Sequence, residues 1–288
     1  MEWWILAFLS AFFASIYSLI IKKGLKKSEP FVLMTWIFII SGIFMLIASL
    51  IRGIPPLGSQ FYFALAVSVI LQVFSAVLYF KALKITDLSL AIPMLSFTPI
   101  FLILTSFLIL GEFPSTYGIL GIVVIVFGSW VLNSKKNEKS VFDPIKYIFK
   151  HKGSRYMLGV AILYSLTANY GKMLLLNSDY LFGIALLFLV TSFVFLVLSF
   201  FNPKNRITNI KKDSFWVVIF ASIAAVVSTI FINIALIEKI VPYVISIKRL
   251  SIIFSVLYGD FLFREKNITR RLIGSVIMLV GVLMILLF

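Results

Sequence analysis

The segment GEFPSTYGILGIVVIVFG, residues 111–128, has a glutamate at its second position and then an apolar run with two glycines seven residues apart. The segment REKNITRRLIGSVIMLVG, residues 264–281, repeats this spacing of glutamate and glycines 153 residues further along the chain. The same shift aligns Ala82-Leu83 with Ala235-Leu236, Glu112 with Glu265, Gly121 with Gly274, Gly128 with Gly281, and Tyr17 with Tyr170. The chain is therefore predicted to be an internal duplication, with one copy in each half.

Long apolar runs occupy most of the 288-residue chain. Hydrophobic residues make up 61% of the sequence, whereas soluble domains average roughly 45–50%. Each run has about 18–23 residues, a length that crosses a bilayer core of about 30 Å at about 1.5 Å per helical residue. The runs lie at residues 3–21, 31–51, 61–80, 88–110, 115–132, 157–175, 181–201, 214–236, 243–262 and 269–287. We therefore predict an all-α membrane protein with ten transmembrane helices.

The duplication assigns five helices to each half, with residues 1–132 as the first repeat and residues 157–288 as the second. Because five is an odd number, the second repeat enters the membrane in the opposite orientation. The expected fold is thus two inverted five-helix repeats around a central cavity. Residues 133–156 form the one long connector, which we predict to be a cytoplasmic linker with a short amphipathic segment on the membrane surface.

Lysine and arginine are concentrated in alternate loops of the predicted bundle. The loops after helices 1, 3, 5, 7 and 9 hold nearly all of them, whereas the other loops hold essentially Arg52 and Lys239. Positively charged loops stay in the cytoplasm, so we expect both termini outside the cell and the protein in the plasma membrane. The lysines and arginines of the cytoplasmic loops therefore account for the formal net charge of +15. The expected partner is the lipid bilayer, and no nucleic acid partner is predicted.

The sequence lacks the residues that several kinds of chemistry require. The sequence has no cysteine, which excludes disulfides and thiolate metal sites, and its one histidine, His151, lies in the linker. It shows no phosphate-binding glycine loop, no Ser-His-Asp arrangement and no His/Asp/Glu metal set. We therefore predict that the protein is not an enzyme and needs no metal or cofactor.

Two longer segments carry a resemblance to a known family. They are YFKALKITDLSLAIPMLSFTPIF at residues 79–101, followed by Gly111-Glu112, and NIALIEKIVPYVISIKRLSIIFSVLYGDFLFREK at residues 233–266. Each has an Ala-Leu pair at a helix end, a proline-bearing helix, a closing glutamate and then a glycine-rich helix. With this order the chain resembles the EamA-type branch of the drug/metabolite transporter superfamily over almost its whole length. The resemblance implies a carrier of small molecules, a class that includes amino acids, sugars, sugar nucleotides, phosphorylated metabolites and drugs.

The segment ISIKRLSIIF, residues 245–254, places Lys248 and Arg249 inside the ninth apolar run. A charge near the bilayer centre costs roughly 2.5–3.5 kcal/mol, so it normally faces protein or water. Residues three or four apart share a helix face, which predicts that Lys248 and Ser251 line the cavity and that Arg249 flanks it. The pair either contacts an anionic substrate group or is structural. Plastid phosphate translocators, which this chain resembles in carrying a Lys-Arg pair on the corresponding helix, imply substrate contact.

Polar and aromatic side chains of other helices are further candidates for substrate contact. In helix 6, Asn169 and Lys172 share a stripe, although Lys172 could instead extend to the outer membrane surface. Helices 3 and 8 carry polar stripes at helical spacing. The candidate substrate-binding residues are Lys248, Arg249, Ser251, Asn169, Lys172, Tyr17, Tyr170, Gln72, Tyr79 and Asn233. For the tyrosines, packing is the alternative interpretation.

Four residues are candidates for gating, namely Pro93, Pro99, Glu112 and Glu265. A proline inside a helix removes a backbone hydrogen bond, so helix 4 is expected to bend at its prolines. The two glutamates close helices 4 and 9, where they could form gating ion pairs or lie in solvated turns. The paired glycines of helices 5 and 10 are interpreted as a close-packed seam.

The sequence therefore predicts a secondary transporter for a small polar, anionic metabolite, working by alternating access about a site near the membrane midplane. An exporter of amino acids or lipophilic cations, with or without proton coupling, is the alternative. Helix 1 lacks the mid-helix glutamate that small multidrug exporters of the superfamily use for proton coupling. A membrane-embedded enzyme is less favoured. The oligomeric state is left open, and a monomer is compatible with the sequence.

Overall fold

The computed structural model describes residues 1–24, 28–85, 94–133, 152–201, 214–254 and 268–287. Within these ranges the chain forms ten α-helices and no β-strand. The helices are α1 (Trp3–Gly24), α2 (Pro30–Arg52), α3 (Phe61–Ile85), α4 (Thr98–Leu110), α5 (Thr116–Asn133), α6 (Lys152–Leu176), α7 (Phe182–Phe200), α8 (Phe215–Glu238), α9 (Val241–Lys248) and α10 (Ile268–Leu287). Five of the described helices are long and apolar enough to cross a membrane, and three shorter ones are also apolar. The predicted class, an all-α membrane protein, is confirmed.

Helix α9 is shorter than the apolar run 243–262 predicts. The N–H of Leu250 donates to the carbonyl of Ile247 at 2.9 Å, and that of Ile252 donates to the carbonyl of Arg249 at 3.0 Å. Both bonds span three residues instead of four, which is the 3₁₀ pattern that interrupts an α-helix. Helical residues 251–254 follow the turn. The prediction of one continuous helix is therefore wrong at Arg249.

The first repeat has the same interruption at the equivalent position. Ser96 and Phe97 form a turn, and the N–H of Phe97 donates to the carbonyl of Met94 at 3.2 Å. Pro99 lies in the first turn of α4, where its missing N–H costs no helical hydrogen bond. Pro99 therefore begins α4 instead of bending a longer helix from within, which corrects the expected kink. Pro93 lies outside the described residues.

The chain divides into two compact units, and each of them draws on both halves of the sequence. Unit 1 comprises Met1–Val73 and Tyr170–Glu238, and unit 2 comprises Phe74–Asn169 and Lys239–Phe288. The two compact units therefore do not coincide with the two sequence repeats, whose boundaries are expected near residues 132 and 157. Those boundaries stay a prediction from the sequence.

Unit 1 contains one pair of helices that the duplication makes equivalent, α2 and α7. The ring centroids of Phe31 and Phe195 lie 4.8 Å apart, and those of Phe38 and Phe188 lie 5.2 Å apart. Because residue numbers fall along α7 as they rise along α2, the two helices run antiparallel. Equivalent helices with opposite directions are what an inverted duplication requires.

Unit 2 contains a second such pair, α5 and α10, which meet along their glycines. A Cβ built on Gly121 would lie 2.7 Å from the carbonyl oxygen of Gly281, and one built on Gly128 would lie 2.8 Å from that of Gly274. These contacts are with backbone atoms, so a larger side chain would force the helices apart. The pairing is again antiparallel. The close-packed seam predicted from the glycine spacing is therefore confirmed.

Candidate functional site

Two cations of the ninth apolar run lie at the break that ends α9 in unit 2. Lys248 is the last residue of α9, and Arg249 is the first residue of the turn that follows. Both residues are partly exposed, but the Nε of Arg249 is buried and has no hydrogen-bond partner in the part of the chain that the structure describes. Within the described ranges, no carboxylate forms an ion pair with either side chain. The break therefore presents two adjacent positive charges.

The surroundings of Arg249 make an anion favourable there. Lys248 lies close enough to repel Arg249, and Tyr164 of α6 lies close enough to interact with it electrostatically. Neighbouring like charges without a counter-ion raise the free energy of the folded state. A negatively charged ligand at this position would lower it.

The equivalent break in the first repeat has different chemistry. Ser96 occupies the position that corresponds to Arg249, and its Oγ shares a hydrogen bond with the Oγ of Ser129 on α5. Phe97, which corresponds to Leu250, packs edge-on against Trp130 with ring centroids 5.6 Å apart. At the first break, contacts with other residues of the protein therefore satisfy the side chains of Ser96 and Phe97. Only the second of these two breaks carries charge.

Contacts with the α4–α5 connection fix the start of α9. The N–H of Val241 donates to Oε2 of Glu112 at 2.8 Å, and the N–H of Ser115 donates to the hydroxyl of Tyr243 at 2.9 Å. The ring of Tyr243 fills the space left by Gly118. A carboxylate at a helix N-terminus accepts a hydrogen bond from a free backbone N–H, and its negative charge is attracted to the positive end of the helix dipole. Glu112 thus has a structural role here, and its gating role stays a prediction; Glu265 lies outside the described residues.

Asn169 joins α6 to α4 within unit 2. Its Nδ2 donates to the Oγ1 of Thr105 at 2.9 Å and to the carbonyl of Ser165 at 3.0 Å. Its Oδ1 accepts from the hydroxyl of Ser106 at 2.7 Å. The side chain is fully buried, and both amide hydrogens are used. These contacts give Asn169 a structural role, and its predicted contact with substrate stays a prediction.

In unit 1 the structure buries Lys172, which is 5% exposed. This burial argues against the alternative that the side chain extends to the outer membrane surface, and the predicted contact of Lys172 with substrate stays a prediction. The neighbouring Tyr170 packs edge-on against Phe63, with ring centroids 6.0 Å apart. Tyr17 packs against the cluster formed around Leu33. Packing thus accounts for part of the contacts of both predicted tyrosines.

A polar cluster ties together the ends of several helices in unit 1. Arg52 donates a hydrogen bond to the hydroxyl of Tyr180 and lies 4.9 Å from the centre of its ring. The Nδ2 of Asn233, a predicted substrate contact, donates to the carbonyl of Tyr180 at 2.8 Å. The N–H of Gly58 donates to the carbonyl of Asn177 at 2.9 Å. This cluster holds the α2–α3 and α6–α7 connections against the end of α8.

The remaining candidates are divided between the units. Gln72 is a partly exposed residue of α3 in unit 1. Tyr79 packs against the buried cluster around Met157 in unit 2, and Ser251 follows the charged break directly. The candidates in unit 1 are Tyr17, Tyr170, Lys172, Gln72 and Asn233, and those in unit 2 are Lys248, Arg249, Ser251, Asn169 and Tyr79.

The sequence reasoning missed Tyr164 and Tyr243. Tyr243 opens the same helix that ends at Lys248, yet its partner Ser115 lies 128 residues away in the chain, so no local spacing predicts the contact. Tyr164 lies five residues before Asn169 and therefore on a different helical stripe. Its position inside the apolar run 157–175 was the one signal that pointed to it.

An inverted duplication of apolar helices is an architecture that many helical membrane carriers share. The family model described as the EamA-like transporter family matches residues 1–134 and again residues 151–287. The chain therefore belongs to that family and is a membrane transporter of the drug/metabolite transporter superfamily. The resemblance inferred from the Ala-Leu, proline and glutamate pattern is confirmed.

Comparison with solved structures agrees on the fold. One chain, described as "Crystal structure of protein", superposes with a TM-score of 0.77 over 97% of this chain and 94% of its own length, at 16% sequence identity. At this identity the likeness concerns the fold alone. No curated protein matches the sequence at a significant level. The substrate must therefore be argued from the residues.

Proposed function

We propose that this transporter moves a small polar metabolite with a negative group by alternating access. The buried, unbonded Nε of Arg249 beside Lys248 carries this proposal. A buried N–H group without a hydrogen-bond partner is costly, and charged residues within membrane-spanning segments are by default candidates for a substrate pathway. The anionic group of the substrate supplies the missing partner.

Arg249 is a better primary contact for the anion than Lys248. The guanidinium has five N–H donors in a planar fork that matches carboxylate or phosphate oxygens in a bidentate manner. The Nε belongs to that fork, and it is the atom left unbonded. Lys248 adds a second charge at the same break. This assignment exchanges the roles that the sequence suggested for Lys248 and Arg249.

The test is transport by the purified, full-length chain in proteoliposomes. We expect uptake of a labelled anion from the set of inorganic phosphate, succinate and acetate, and no uptake of the lipophilic cation tetraphenylphosphonium. Labelled leucine, a zwitterion, separates the amino acid alternative. Uptake of the cation with none of the anions would contradict the proposal, because a cation would be repelled by both charges at the break.

We also propose that both termini face the outside and that the connector 133–156 faces the cytoplasm, in the plasma membrane. The absence of cysteine from the sequence makes this testable by single substitutions. Ser59, exposed in the α2–α3 connection, is expected as Ser59→Cys to react with an impermeant maleimide in intact cells. Ser134→Cys is expected to react only after the membrane is permeabilised. The reverse pattern would overturn the orientation.

A further inference from the structure

Helix α9 carries both cations of the second break, yet it is too short to be stable by itself. It has eight residues, Val241–Lys248, whereas isolated helices shorter than about 12–15 residues are marginal in water. Contacts with other parts of the protein must therefore hold it in place. Lys248 ends the helix and Arg249 follows it directly, so the contacts that hold α9 also determine where the two charges lie.

Tyr243 joins the first turn of α9 to the start of α5. Its hydroxyl accepts a hydrogen bond from the N–H of Ser115 at 2.9 Å and lies 3.1 Å from the Oγ of the same residue. That Oγ accepts a hydrogen bond from the N–H of Gly118 at 3.1 Å, which is the contact that an N-cap serine makes with its own helix. One tyrosine hydroxyl therefore links α9 to the N-cap of α5.

Gly118 leaves the space that the ring of Tyr243 occupies. A Cβ built on Gly118 would overlap the hydroxyl oxygen of Tyr243 and would lie 2.5 Å from its Cζ and Cε1. Tyr243 is 8% exposed, so its ring could move aside only by losing both contacts with Ser115. Two other glycines of α5, Gly121 and Gly128, approach the backbone of α10 instead. The contact with α9 is therefore a separate reason for glycine at position 118.

A hydrogen-bonded helix connects Tyr243 to the charged break. Arg249 follows Tyr243 by six residues, which is about 9 Å along a helix axis at about 1.5 Å per residue. The N–H of Val244 donates to the carbonyl of Ile240 at 3.3 Å, and that of Arg249 donates to the carbonyl of Ile245 at 3.2 Å. Helical hydrogen bonds thus reach from the first turn to Arg249. Because a regular helix is a rigid element, a shift at its start is passed on to its end.

We propose that Tyr243 and Gly118 are positioning residues for transport, which determine where α9 holds Lys248 and Arg249 without touching the substrate themselves. Binding groups must be held within about 0.5 Å of their productive geometry, so a small displacement of α9 weakens the contact with the substrate. The inference rests on the proposed contact between Arg249 and an anion. It adds two residues that lie outside that contact and that local sequence spacing does not reveal.

The first measurement uses no substrate, so its outcome is independent of the proposed anion specificity. Lys248→Cys supplies a single thiol to a chain that has no cysteine, and a nitroxide attached there reports the order of the end of α9 in its electron paramagnetic resonance spectrum. Tyr243→Phe and Gly118→Ala are each expected to make the nitroxide more mobile. Gly171→Ala is the matched control, because a Cβ at Gly171 meets no atom of the described residues within 4 Å. Spectra that stay unchanged in both variants would overturn the proposal.

The second measurement is uptake of the best-transported anion among phosphate, succinate and acetate, as a function of its concentration. Tyr243→Phe keeps the ring and loses the contacts of the hydroxyl with Ser115, so the concentration for half-maximal uptake is expected to rise about two- to tenfold. Gly118→Ala should raise it further, because the whole ring is displaced. Gly171→Ala should leave it unchanged. Unchanged values in Tyr243→Phe and Gly118→Ala would show that the contact holds α9 without positioning the charges, and the proposal would be wrong.

The double variant Gly118→Ala/Tyr243→Leu separates positioning from packing. Leucine lacks the outer ring atoms that a Cβ at position 118 would overlap, so the double variant is expected to regain the melting temperature that Gly118→Ala loses. It does not regain the hydrogen bond to Ser115, so the concentration for half-maximal uptake should stay high. Recovery of both quantities would show that packing alone is needed, which contradicts the role proposed for the hydroxyl.

The two measurements distinguish a failure of this inference from a failure of the proposed function. If the unmodified chain transports none of the three anions, the proposed anion specificity fails, and positioning for an anion fails with it. The nitroxide spectra then still decide whether Tyr243 and Gly118 hold the end of α9. If the unmodified chain transports an anion and the spectra do not respond to Tyr243→Phe or Gly118→Ala, only the positioning role is wrong.

Discussion

Replacing Arg249 by glutamine is expected to abolish anion uptake and to leave the protein at least as stable as the unmodified chain. Loss of one partner from a buried, hydrogen-bonded charge pair costs about 2–5 kcal/mol, or a roughly 30- to 4,000-fold weaker affinity for the anion. Stability is expected to change in the opposite direction, because the Nε of Arg249 has no hydrogen-bond partner among the described residues and Lys248 repels the guanidinium. The measurements are initial uptake rates in proteoliposomes and melting temperatures of the purified variants.

Three further variants make this result specific. Arg155→Gln removes the same charge from an exposed position in the first turn of α6 and is expected to leave uptake unchanged. Arg249→Lys keeps the charge without the planar fork, so its affinity for the anion should lie between those of Arg249→Gln and the unmodified chain. Lys248→Gln is expected to have a smaller effect than Arg249→Gln. Normal uptake by Arg249→Gln, together with a melting temperature several degrees lower, would show that Arg249 is structural.

The features of the fold that the sequence predicts are those with a local or periodic signal. Apolar runs of membrane-spanning length predicted both ends of α2 and of α7 to within one residue. The glycines seven residues apart gave the seam between α5 and α10, because a helix face repeats about every seven residues and only glycine lets two backbones touch. Each of these inferences uses residues within a single helix or the duplication itself.

The break at Arg249 could not be predicted in this way. In the first repeat Pro99 marks the neighbourhood of the turn, but the segment ISIKRLSIIF at residues 245–254 has neither proline nor glycine. Its 3₁₀-type hydrogen bonds therefore depend on the packing of unit 2 and not on local propensity. The duplication was the one available signal for this break. It aligns Arg249 with Ser96, which begins the turn of the first repeat 153 residues earlier.

The candidate site was harder to predict because a polar stripe on one helix does not reveal what it faces. Asn169 was selected for its position on such a stripe. The structure instead places it against Thr105 and Ser106, which lie 64 and 63 residues away in the chain. Buried polar groups in a membrane protein need partners, and both a neighbouring helix and a wet cavity can supply them. Spacing alone does not distinguish the two.

Replacing Asn169 by leucine is accordingly expected to reduce stability more than affinity for substrate. The variant keeps a similar volume but loses three hydrogen bonds, two of which join α6 to α4. Hydrogen bonds between helices in membrane proteins average about 0.6 kcal/mol and reach about 1.7 kcal/mol, so the two bonds between α6 and α4 give an expected loss of about 1–3 kcal/mol. The melting temperature of the purified protein should fall by roughly 2–12 °C, and the concentration of anion that gives half-maximal uptake should change little.

A double-mutant cycle assigns this loss to the contact between α6 and α4. Ser106→Ala removes the donor to the Oδ1 of Asn169, and a coupling of about 0.5–2 kcal/mol with Asn169→Leu is expected for groups in direct contact. Asn233 lies in the other unit, and Asn233→Leu removes its hydrogen bond to the carbonyl of Tyr180. This variant should show no coupling with Ser106→Ala. If Asn169→Leu melted at the normal temperature but required far more anion for uptake, Asn169 would belong to the substrate site, as its position on the stripe of helix 6 first suggested.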